Sequence, residues 1–130
     1  MENKSTIGMK SSRLTLEVTQ EKISAFCHAV GAQSDSVAPP TYFTVCRQGE
    51  FELFEALGVP LAHVLHADQE YTYEGDVCAG DVVVFQTTVV SDLEKKNGAL
   101  RFISFETHFV SGRDQSKLGT GKTTVVIRGN

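Results

Sequence analysis

The chain has no tryptophan, only three prolines and three cysteines, and no long apolar run in its 130 residues. Each scarcity excludes something. Without roughly 18 to 20 consecutive apolar residues, no segment reads as a bilayer-spanning helix. The opening "MENKSTIGMKSSR" lacks the apolar centre of a signal peptide, so residues 1–12 are expected to be a short disordered lead and residues 13–130 a single domain. Cys27, Cys46 and Cys78 form no C-x-x-C pair and are odd in number, which suits reduced buried thiols in a cytoplasmic protein better than a disulfide framework. Basic charge is also scarce. Twelve Lys and Arg against sixteen Asp and Glu give a formal charge of −4, so there is no general attraction to nucleic acid.

What is present is two helical patterns followed by strands. "RLTLEV" (13–18) reads as a short strand, and Thr19 then offers an N-cap hydroxyl to a helix running to about Val30 and ended by Gly31. Ile23, Phe26, Cys27 and Val30 make its apolar face. Pro39-Pro40 introduces a second, longer helix from about Thr41 to Leu57, stopped by Gly58 and Pro60. Its wide apolar face (Tyr42, Phe43, Cys46, Gly49, Leu53, Phe54, Leu57) predicts deep burial, with Gly49 marking a close approach to another backbone. From residue 63 the period drops to two, and Leu65, Ala67, Tyr71 and Tyr73 are expected to share the inward face. "DVVVFQTTVVSDLEKK" and "LRFISFETHFVS" flank Asn97-Gly98, the dipeptide that best tolerates two positive φ angles in a tight hairpin. "KLGTGKTTVVIR" supplies the last strand. The fold class is therefore α+β, a curved antiparallel sheet of about five strands wrapped around one long central helix.

Two motifs suggest chemistry and fail on their spacing. His63 and His66 stand three apart, so on one strand they face opposite sides, and only His28 and His108 remain as further imidazole ligands; no metal is expected. "GTGKTT" (119–124) resembles a phosphate loop, but the G-x-x-x-x-G-K-[ST] pattern needs glycine where Ser116 stands, and too little chain follows for the helix that would hold the phosphate. Cys46, on an apolar stripe, reads as inert core rather than a nucleophile.

The order of strand, short helix, "APPTYF", long helix, "ALGVP" and "LHADQEYTYEGDVCAGDVV" resembles the hot-dog fold of the MaoC-like dehydratases, in particular the FAS1-like, or MaoC N-terminal, branch. The string LH-x-x-Q-x-[YF]-x-[YF]…AGD is its most specific part, and the likeness spans roughly residues 13–128. The resemblance implies an enoyl-CoA hydratase or (3R)-hydroxyacyl-thioester dehydratase, a lyase of fatty acid metabolism. It implies an acyl-CoA or acyl-ACP ligand, no cofactor, and pairing of hot-dog subunits as homodimers or heterodimers.

The chain departs from that pattern at one place. Catalytic members carry G-D-x-N-P-x-H between the two helices; here the interval reads "VGAQSDSVAPPTYF", with Asp35 but no following histidine and no N-P. No catalytic residue is therefore assigned, and whether the chain is an enzyme by itself stays open. The expectation is an acyl-binding subunit that needs a catalytic MaoC-like partner. Thr41 and Tyr42 at the start of the long helix would bind the thioester through their backbone amides, with Pro40 beside them and His66 as further ligand contacts. The alternatives are a hot-dog acyl-CoA thioesterase, for which Glu50 and Glu52 are the candidate carboxylates, and an acyl-thioester-binding module without chemistry.

Overall fold

A computed structural model describes residues 6–31 and 46–128. Strand β1 (Leu14–Glu17) leads through Val18 to helix α1 (Gln20–Val30). Helix α2 (Gln48–Leu57) is followed by a 3-10 turn at Leu61–His63 and strands β2 (Val64–Tyr73), β3 (Val82–Lys95), β4 (Leu100–Ser111) and β5 (Lys117–Arg128). The strands form one antiparallel sheet in the order β1-β3-β4-β5-β2, so β1 and β2 are its edges. No helix among the described residues is long and apolar enough to cross a membrane.

Local chemistry sets the ends of these elements. Thr19 accepts a hydrogen bond from the Lys22 amide at 3.1 Å and so caps α1, while Gly31 closes it in the left-handed conformation, both as expected. Val30 is 51% exposed and falls off the buried face, which Ile23 and Cys27 carry. Asn97 and Gly98 take φ of 57° and 86° at the centre of the β3–β4 turn, closed by the Ala99 amide on the Lys96 carbonyl. The helix expected from Thr41 is described from Gln48; Cys46 and Arg47 precede it outside helical structure, and the residues before them lie outside the described ones.

The inward face of the sheet carries two apolar clusters. Val83, Phe85, Phe109 and Leu118 meet Val18, Ile23 and Cys27 of the α1 region, with Cys46 and Val77. Val89, Ile103, Phe105, Val125 and Ile127 meet Leu53 and Phe54 of α2. Gly49 brings α2 against β3, although the neighbours are side chains rather than backbone. A Cβ there would fall inside van der Waals contact with Thr87 Oγ1, and would lie 2.9 Å from Thr87 Cβ and 3.1 Å from Ser11 Oγ. Gly49→Ala is expected to cost about 1–3 kcal/mol through overpacking, outweighing alanine's helix propensity advantage of about 1 kcal/mol. A shift of the urea midpoint to lower concentration checks it.

Residues 6–12, expected to be disordered, form a strap along β3. Gly8 donates to the Val89 carbonyl, Val89 to that of Met9, and Ser11 to that of Thr87. Ser12 donates through its amide and hydroxyl to the Glu52 carboxylate at 3.0 and 2.9 Å, tying the strap to α2. A bulge at Val90 shifts the β3 register, so that Asp92 faces inward opposite Ile103. There it accepts from Arg101 Nε and Nη2 at 2.9 and 2.7 Å and from the Thr6 hydroxyl. Burial opposes the Asp92 charge, but these hydrogen bonds and the Arg101 charge win and hold its carboxyl below the usual carboxylate range. A fully buried carboxylate needs these partners, and the sequence gives no hint that the lead supplies one of them.

Candidate functional site

Strand β2 is built around one extra residue. Val64 and His66 stand opposite Ile127 and Val125 of β5, both core-facing, while Leu65 stands opposite Val126. Ala67 has no partner, and beyond it Gln69 and Tyr71 stand opposite Thr123 and Gly121. The bulge reverses the parity of the strand, which places His66 and Gln69, three residues apart, on the same inward face. The expectation that Leu65 and Ala67 turn inward is thus corrected: Leu65 is 52% exposed on the outer face. Tyr71 and Tyr73 do turn inward and pack beside the first cluster. His63 sits in the 3-10 turn before the strand. His66 is exposed despite its inward position, because β2 is an edge strand.

A chain of polar contacts runs from α2 to this face. Arg47 Nη2 lies 3.2 Å from Glu50 Oε1, and the Thr123 hydroxyl donates to Glu50 Oε2 at 3.2 Å. Gln69 Nε2 donates to Thr123 Oγ1 at 3.1 Å and to the Tyr71 hydroxyl. Glu50 is buried on the same helix face as Leu53 and Phe54, and its two oxygens are both engaged. The signal was present in the sequence: Glu50 falls four residues after Cys46 and three and four before Leu53 and Phe54, inside the apolar stripe. Arg47 also lies over the exposed Phe51 ring, 5.2 Å from its centroid.

The Tyr71 ring lies on β5 where Gly121 leaves room for it; a Cβ at 121 would be 3.1 Å from Tyr71 Cε1. Burial, followed by the neighbouring Glu50 carboxylate, pushes the Tyr71 hydroxyl well above its ordinary pKa and keeps it neutral as a hydrogen-bonding group. Burial pushes the Cys46 thiol up to about 12, so it is no nucleophile near neutral pH.

Of the residues singled out in the sequence, Pro40, Thr41 and Tyr42 lie outside the described residues, as does Asp35. His66 shares the inward face of β2 with Gln69 and Tyr71, while the polar contacts that reach Thr123 and Glu50 start at Gln69. The other histidines stand elsewhere: His28 is exposed at the end of α1, and His108 on β4 pairs with Glu106 at 2.7 Å. Glu52, the second candidate carboxylate on α2, is occupied by Ser12.

Comparison with known proteins is consistent with this geometry. Residues 34–116 match the model of the FAS1-like dehydratase domain region. A UPF0336 protein of Leifsonia xyli is 31% identical over 133 residues, covering 87% of this chain and 86% of the relative. Among solved structures, the chain is similar to the C-terminally truncated HadBC (3R-hydroxyacyl-ACP dehydratase) complex of Mycobacterium tuberculosis. That match has a TM-score of 0.77 at 19% identity and covers 93% of this chain and 96% of the other. It is also similar to the ChsH1–ChsH2 complex of the same organism, with a TM-score of 0.71, 16% identity, and coverage of 92% and 88%. The five-stranded antiparallel sheet is that of the hot-dog dehydratases. With well over half of its length matched by the family model, the chain belongs to the FAS1-like dehydratase domain family, of MaoC-like type.

Proposed function

We propose that the chain is the acyl-thioester-binding subunit of a (3R)-hydroxyacyl-thioester dehydratase or enoyl-CoA hydratase, and that a MaoC-like partner supplies the catalytic Asp and His. The observation that carries this reading is the interval between the helices: residues 31–47 contain no histidine, and none of the four histidines of the chain belongs to a G-D-x-N-P-x-H motif. Proton transfer at the α and β carbons of the acyl group needs a positioned acid and base. The carboxylates of Glu50 and Glu52 on α2 are held by Arg47, Thr123 and Ser12, which weighs against the thioesterase alternative. In this reading, the amide N–H groups of Thr41 and Tyr42 polarise the thioester carbonyl, and Pro40 and His66 border the ligand.

The edge of β2 supports a paired state. Its outer side has no strand neighbour among the described residues, and Leu61 and Leu65 beside it are 57% and 52% exposed. An open edge with exposed leucines is a liability that pairing removes. HadBC and ChsH1–ChsH2 are both complexes, which favours a heterodimer. Light scattering at micromolar concentration should show a dimer for the chain alone or a heterodimer after mixing with a MaoC-like subunit; a clean monomer in both cases would count against the reading. Enoyl-thioester hydration with and without that subunit tests the division of labour directly.

A further inference from the structure

The strand register rules the outward face of the sheet into rows, and one row breaks the pattern of the others. Where an antiparallel sheet has one face toward water, the residues on that face are expected to be polar. Gln86, His108, Thr120 and Thr72 form such a row, Thr88, Glu106, Lys122 and Glu70 the next, and Ser91, Ser104, Thr124 and Asp68 a third. The fourth is Leu93, Phe102, Val126 and Leu65, apolar from β3 across to the open edge at β2. Leu65 is largely exposed and the other three are half-buried.

Charge differs on the two sides of this apolar row. Toward the β3–β4 hairpin stand Lys95 and Arg128, with Leu100 between them. On the other side Asp68, Glu70 and Glu106 outnumber Lys122. Two copies can stack these faces with twofold symmetry in two simple ways. An axis along the strands sets each flank against its like, whereas an axis along the row sets the basic flank of each copy on the acidic flank of the other. We propose that a second copy of this chain packs on the outward face in the latter way. Leu93, Phe102, Val126 and Leu65 then meet their own counterparts, and Lys95 and Arg128 reach toward Glu106, Asp68 and Glu70 of the second copy. Sheets stacked face to face lie about 10 Å apart, a gap that these facing side chains fill together. This contact is separate from pairing at the β2 edge and does not rest on the acyl-binding reading: it covers the Leu65 side chain and leaves the β2 backbone free.

Sedimentation equilibrium of the chain alone tests this. Phe102→Asp puts a charge in the apolar row and should lower the mass about twofold relative to the unmodified chain. Lys95→Glu combined with Arg128→Glu should do the same, and so should Asp68→Lys combined with Glu70→Lys, because each double variant sets like charges against each other. An equimolar mixture of the two double variants should regain the mass of the unmodified chain, since one then presents acidic and the other basic flanks; misfolded variants could not do so. Equal masses for the unmodified chain and Phe102→Asp, or a mixture no heavier than its components, would overturn the inference. It would fall equally if Phe102→Asp disrupted only a complex with a MaoC-like subunit, for the face would then belong to that subunit.

Discussion

Alone, the purified chain is expected to hydrate crotonyl-CoA at a rate about 10²–10⁴-fold below that of the complex with a MaoC-like subunit carrying an intact G-D-x-N-P-x-H, the range that general acid–base catalysis supplies. Loss of the enoyl absorbance in the ultraviolet measures it. Addition of the partner should restore turnover in proportion to the heterodimer formed, with saturation at equal subunit ratio. Replacing the partner's motif histidine should abolish it, while the unmodified chain remains bound. Fast turnover by the chain alone would place an acid or base within it. His66 would then be the first residue to examine, since it is the one histidine on the inward face near Gln69 and Tyr71. Loss of that turnover in His66→Ala would complete the reversal.

The largest stability effect is expected at Phe105. It is fully buried at the centre of the second cluster, and its ring meets Phe54 edge to face, with centroids 5.2 Å apart and an interplanar angle of 87°. Phe105→Ala removes that ring from between sheet and helix and should cost about 3–5 kcal/mol, because the surrounding Val89, Ile103 and Val125 cannot close the cavity. Phe102, three residues earlier on the same strand, faces outward under Lys95, whose ammonium lies 5.1 Å from the ring centroid. Its replacement by alanine should cost far less. Urea unfolding with an unchanged denaturant slope would give both values; equal costs would mean that β4 is paired in the other register.

Much of this fold was legible because its signals are local. Thr19 and Gly31 bound α1, Asn97-Gly98 turns the hairpin, and "KLGTGKTTVVIR" coincides with β5, since capping, positive φ and alternation are each written within a few residues. What escaped depends on pairing between distant segments. The bulges at Ala67 and Val90 exist only relative to β5 and β4, so strict alternation put Leu65 on the wrong face and gave no reason to place Asp92 inside. The strap at residues 6–12 looks polar and unstructured until β3 and Glu52 are beside it. The candidate site divides in the same way. Gln69 was visible as part of a family string, but its place in a polar chain required the Thr123–Glu50 connection across 73 residues of chain. Glu50 was named only as a candidate carboxylate of the thioesterase alternative, although its place inside the apolar stripe of α2 pointed to burial.

The position of β5 between β4 and β2 separates the inherited signature from the unit that can fold. A fragment trimmed to residues 34–116 would keep nearly all the recognisable family pattern and yet lack β5 entirely. Strand β2 would then have no hydrogen-bonded neighbour, and Phe105 and Ile103 would face water where Val125 and Ile127 had been. At the other end the same cut would strip β1, α1 and the strap from β3, uncovering Val83 and Phe85 and depriving Asp92 of Thr6. Expression, fusion or domain-exchange experiments should accordingly keep residues 6–128 together, with tags placed outside both limits.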